Sequence, residues 1–83
     1  MNDVYKFDNT PENRVKILVR IMFAENLSAT DIAKGTDMQK SLISNYLNNK
    51  REMGNNALIR ICITFGYSVA FTPDNKVAAV KVV

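Results

Sequence analysis

The chain has no histidine and no tryptophan, and only one cysteine, two prolines and three glycines in 83 residues. Each scarcity removes a class of function. Without histidine the commonest general base is missing. One cysteine with no histidine cannot supply the usual zinc ligand sets, so no metal or cofactor site is expected. Gly35, Gly54 and Gly66 stand isolated, which leaves no glycine-rich loop to cradle a phosphate. An enzyme is not expected. A lone cysteine cannot close an internal disulfide and suits a reducing cytoplasm. No apolar run approaches the ~18 residues of a membrane span. Met1 to Phe7 carries Asp3 and lacks the apolar stretch of a secretory leader. The expected location is the cytoplasm, with no membrane partner.

What is present describes one small globular domain. The length suits a single domain, and 47% hydrophobic with 23% charged residues excludes a disordered composition. The net charge of +3 permits nucleic-acid binding without demanding it.

The first ten residues, 1–10, are taken as an N-terminal arm with Val4, Tyr5 and Phe7 as candidate anchors. For Tyr5 and Phe7, packing and disorder stand open. Thr10-Pro11-Glu12 is a helix start: a capping hydroxyl, a proline where its missing N–H costs nothing, and an acid near the positive end. Val15, Leu18, Val19, Met22 and Phe23 then recur at steps of three and four, predicting one apolar stripe on a helix running to about Asn26. Ser28 with Asp31 resembles a capping box. It opens a short helix through Ile32 and Ala33, which Gly35-Thr36-Asp37 should break. Periodicity resumes at Met38, with Leu42, Ile43, Tyr46 and Leu47 apolar, and fades at Asn48-Asn49. Lys50 to Asn55 is expected to be a polar loop. Leu58, Ile61, Cys62 and Phe65 mark a fourth helix ended by Gly66, and Ile59 and Ile63 lie on its second side. Tyr67, Val69 and Phe71 alternate with smaller residues, Thr72 to Lys76 is a turn, and Val77 to Val83 is a returning strand.

Within Ala29 to Asn48, two short helices flank a tight turn. Ala33 is small where they must cross, and Ile32, Met38, Ile43 and Tyr46 point inward. The other face of the second helix carries Lys40, Ser41, Ser44, Asn45 and Asn48, all polar and none acidic. A helix lying in the major groove must offer donors and acceptors to base edges and keep carboxylates away from phosphates.

The stretch from Leu27 to Tyr46 resembles the helix-turn-helix of the Cro/phage-repressor (XRE-type) regulators, and the resemblance spans Pro11 to Phe65. It implies a mainly α fold, a four-helix Cro/repressor-like helix-turn-helix domain over residues 11–66, with residues 67–83 as a C-terminal β-hairpin. It also implies a transcriptional repressor that binds double-stranded DNA at a palindromic operator. By that likeness Lys40, Ser41, Ser44 and Asn45 fall where the family contacts bases, and Gln39 at the helix start. Ala29 and Thr30 fall near a backbone phosphate, and Asn48, Lys50 and Arg51 on the far side of the groove. Asp37 stands where the family usually has glycine, Gln39 where a short cap is usual, and Asn49 where glycine is common.

The valine-rich last strand reads as a free apolar edge guarded only by Lys81. A homodimer through Val69, Phe71, Val77, Val80 and Val82 is therefore expected, the alternative being that the strand only covers its own helix. Two other functions use the same scaffold: an antitoxin that also binds a toxin protein, and a protein-interaction module that binds no DNA.

Overall fold

The computed structural model describes residues 4–82; Met1 to Asp3 of the expected arm and Val83 of the expected hairpin lie outside them. Seven elements follow in order: β1 (Val4–Asp8), α1 (Pro11–Glu25), α2 (Ala29–Thr36), α3 (Lys40–Leu47), α4 (Asn55–Thr64), β2 (Tyr67–Phe71) and β3 (Lys76–Lys81). The result is four helices and one three-stranded antiparallel sheet. Among the described residues no helix is long and apolar enough to cross a membrane.

Local chemistry sets the helix ends. Thr10 caps α1 by accepting from the Asn13 N–H, with Pro11 in the first turn. Ser28 and Asp31 close a reciprocal capping box on α2: the Ser28 N–H donates to Asp31 at 2.9 Å, and the Asp31 N–H to Ser28 Oγ at 3.1 Å. The Ser28 backbone N–H and hydroxyl hold the Asp31 carboxyl below its usual range. Three helices end on a left-handed residue that is not glycine: Asn26, Asp37 and Asn49, at φ of 55°, 57° and 57°. After α4, Gly66 takes φ of 86°, where glycine alone is unstrained.

The expected arm is corrected. Val4 to Asp8 pairs with β3 in register from Val4 opposite Val80 to Asp8 opposite Lys76, so half of it is a sheet strand. Its residues alternate in exposure: Tyr5 and Phe7 face inward, half-buried, under the guanidinium of Arg20, which lies 5.9 and 5.5 Å from their ring centroids. The sheet order β1-β3-β2 also corrects the free edge expected for the last strand, since β3 is paired on both sides. Val77 is fully buried and belongs to the core, not to a dimer surface. The hairpin itself forms as expected, with Asn75 at φ of 60° in the turn.

Two further expectations shift. In α1 the buried residues are Val15, Ile17, Leu18 and Ile21, while Val19 and Phe23 are 46% and 89% exposed. Both sets satisfy helical periodicity, and the packing of α3, α4 and β1 against α1 selects the face centred on Leu18 and Ile21. Gly35 and Thr36 do not break α2 but lie inside it. A Cβ on Gly35 would sit 2.7 Å from the Phe65 ring, so this glycine lets the end of α4 approach.

The core joins Leu18, Ile21, Ile32, Ile43, Met53, Leu58, Ile61, Tyr67 and Val77, all at or near zero exposure. Cys62 lies within it, and burial pushes its thiol up to about 12, leaving it a packed group and not a nucleophile. At the far end of α1, Glu25 accepts from the Tyr67 hydroxyl at 3.1 Å and pairs with Lys81, tying α1 to β2 and β3. The Lys81 ammonium, then the Tyr67 hydroxyl, hold the Glu25 carboxyl below its usual value.

Candidate nucleic-acid interface

The face of α3 is built from the inside out. Ile43 is fully buried and Tyr46 is 6% exposed, with Leu42 and Leu47 half-buried. Ala33 is nearly buried on α2, which packs directly on α3. These contacts fix the rotation of α3, so the steps of one and three between Lys40, Ser41, Ser44, Asn45 and Asn48 place all five on the opposite face. Lys40, Ser41 and Asn48 are exposed, and Ser44 and Asn45 are half-buried at the margin.

These side chains share a further property. Among the described residues, none of the side chains of Gln39, Lys40, Ser41, Ser44, Asn45, Asn48, Lys50 and Arg51 makes a hydrogen bond or ion pair. Some polar side chains elsewhere are engaged: Arg14 with Met53, Asn9 and Asn55, Lys76 with Asp8, and Lys81 with Glu25. Others, such as Lys16 and Arg60, are not engaged among the described residues. The side-chain donors and acceptors of the α3 face thus have no partner among the described residues.

The start of α3 is open as well. Gln39 occupies the cap position but makes no side-chain cap bond. Its carbonyl accepts from Leu42 and Ile43 at 3.1 and 3.3 Å, which leaves the amides of Lys40 and Ser41 uncapped. On α2 the capping box satisfies Ser28 and Asp31 and leaves the amides of Ala29 and Thr30, both half-buried, in the same condition. Helix starts with free amides attract anions.

The loop after α3 is rigidly closed. The Asn49 N–H donates to Tyr46 O at 3.2 Å and the Lys50 N–H to Asn45 O at 2.9 Å, the paired bonds of a Schellman end with Asn49 in the left-handed position. Lys50 and Arg51 are thereby presented, exposed, just beyond the polar face of α3. Beneath them Met53 is fully buried, which corrects the reading of 50–55 as wholly polar. Arg14 fastens the same loop: Nε donates to Met53 O at 2.5 Å, and Nη1 to Asn9 and Asn55 at 2.5 and 3.1 Å. Sequence reasoning misses Arg14, because its partners lie up to 41 residues away and no local spacing joins them.

All ten expected site residues thus fall on α3, its two flanking segments, or the start of the helix packed against it. Their chemistry is amide, hydroxyl and cation. Exposed carboxylates do lie beside them: Asp37, Glu52, Asp31 next to Thr30, and Glu12, which lines one hollow with Arg51. Asp37 is poorly suited to its place, being an acid at a helix C-terminus and a Cβ residue in the left-handed region. Asp37→Gly is expected to raise stability by up to about 1 kcal/mol, net of the extra freedom glycine gives the unfolded chain. Urea unfolding measures this, and a lower midpoint would mean that the Asp37 side chain supports the turn. Comparison of the chain with models of protein families, with curated proteins and with solved structures returned no match.

Proposed function

We propose that this chain is a sequence-specific DNA-binding regulator of the Cro/phage-repressor type, with α2 and α3 as its helix-turn-helix and α3 as the helix that enters the major groove. The observation that carries the reading is the face of α3: polar, free of carboxylates, unengaged within the chain, and locked in orientation by Ile43 and Tyr46. An α-helix about 10–12 Å across fits a major groove about 12 Å wide. Lys40, Ser41, Ser44 and Asn45 then meet base edges. Gln39, Asn48, Lys50, Arg51 and the starts of α2 and α3 meet phosphates. A homodimer on a palindromic operator would block a promoter by occupying it.

A gel shift on genomic fragments at two salt concentrations tests the proposal. Binding is expected to weaken steeply with salt, and salt-independent or absent binding contradicts it. Arg51→Ala is expected to weaken all sequences alike. It should flatten the log–log salt slope by about 0.9 for each phosphate no longer neutralised, so by ~2 in a dimer. If Arg51→Ala changed sequence preference while Asn45→Ala did not, the roles given to α3 and its loop would be reversed.

One observation favours the antitoxin variant of this function. Phe23 is 89% exposed and lines an open hollow of about 350 Å³ with Val19, Met22, Leu27 and Leu47. Such a patch on a DNA-binding domain suits a protein partner. Co-expression with the product of a neighbouring reading frame would show complex formation, abolished in Phe23→Glu, if that variant holds.

A further inference from the structure

The sheet has two edges, and they differ. β1 carries Lys6 and Asp8, and Asp8 pairs with Lys76, the kind of charge that guards an edge from further pairing. β2, with the sequence Tyr-Ser-Val-Ala-Phe, has no charge, no proline and no bulge. Its hydrogen-bond phase follows from the bonds at its ends. The Val82 N–H donates to Gly66 O, and the Thr72 N–H to Lys76 O, so even-numbered residues bond to β3. Val69 and Phe71 accordingly turn their N–H and C=O groups toward the open edge.

Apolar side chains surround that edge. Ile63 is 65% exposed, Val82 64% and Phe71 43%. A hollow of about 460 Å³ beside β2 is lined by Ile59, Ile63, Gly66, Ser68, Val69 and Val82, among others, and none of its lining residues is charged. α4 packs on β2, so Ile59 and Ile63 lie next to the strand that would be extended.

We propose that β2 pairs antiparallel with β2 of a second copy of this chain, about a two-fold axis through Val69, joining the two sheets into one of six strands. The occupant is a second copy because the edge is complementary to itself. A two-fold places Val69 opposite Val69, where each exchanges N–H···O=C bonds with the other, and brings the uncharged Ile63 and Phe71 regions together. A charged peptide would find no counter-charge in the lining. The contact is a five-residue strand with a few flanking side chains, at or below the ~1,200 Å² lower end of stable interfaces, so dissociation is expected in the micromolar range.

This assignment deepens the regulator reading by naming the surface of its dimer, but its test uses no DNA, so either can fail alone. Sedimentation equilibrium from micromolar to millimolar protein should show the mass rising from the 9.3 kDa of one chain toward twice that value. Ile63→Glu, at an exposed position, should give the single mass with an unchanged circular dichroism spectrum. Val69→Pro, which removes the outward N–H where an edge tolerates proline, should do the same. Val4→Glu on the β1 edge should remain dimeric. A monomeric wild type, a folded Ile63→Glu that stays dimeric, or loss of the dimer in Val4→Glu alone would each overturn the proposal.

Discussion

Lys40→Ala and Asn45→Ala should each cost about 1–3 kcal/mol of affinity for the preferred DNA sequence if each makes a good direct base contact. At 1.4 kcal/mol per decade, that is a loss of about 5- to 150-fold for either change. Binding to unrelated DNA should fall far less for Asn45→Ala, because an amide contributes little to counterion release. Fold stability should move by no more than about 0.5 kcal/mol, since neither side chain makes an internal hydrogen bond and Lys40 is exposed. Fluorescence anisotropy with matched and scrambled duplexes, alongside urea unfolding, separates the two quantities. Equal losses on both duplexes for Asn45→Ala would remove it from base reading.

Ile43→Ala should act through the fold. Ile43 is fully buried and is the residue of α3 set deepest in the core. Truncating a buried isoleucine costs about 2–5 kcal/mol, combining lost transfer energy with the cavity left behind. A domain of this length has a net stability on the order of 4–12 kcal/mol, so the change removes a large share of it. The unfolding midpoint should fall sharply. DNA binding should decline with the folded fraction, and DNA-bound protein should be partly rescued by mass action. A cost below about 1 kcal/mol would mean that the site relaxes around the loss and that Ile43 does not fix the rotation of α3.

These two positions also show what the sequence makes legible. Ile43 and Asn45 sit two residues apart on a helix whose ends are marked by local chemistry, and helical spacing alone sends them to opposite sides. The capping box at Ser28 and Asp31, the left-handed Asn49 and the turn at Asn75 are similarly local. The contacts that stay hidden are those made at a distance. β1 reads as an arm because its partner strand begins about seventy residues later, and a five-residue strand means little until paired. The phase of α1 is ambiguous because apolar residues occupy two overlapping faces, and only the packing of α3, α4 and β1 chooses between them. Met53 and Arg14 anchor the loop beneath Lys50 and Arg51, yet neither carries a spacing that announces the other. The candidate site itself is drawn from short-range pattern, so its ten residues lie on α3, the segments flanking it and the start of α2. The surface proposed to join two copies depends on which strand is the edge, and that is a property of the folded sheet.

That the α3 face reads DNA sequence is tested most directly by selecting bound duplexes from a random pool and sequencing them. The expected result is enrichment of an inverted repeat with half-sites centred about one helical turn, 10–10.5 base pairs, apart. Asn45→Ala, put through the same selection, should lose preference at particular positions within each half-site. Enrichment no greater than that of the starting pool, from a folded protein at low salt, would contradict the assignment of α3 to the major groove.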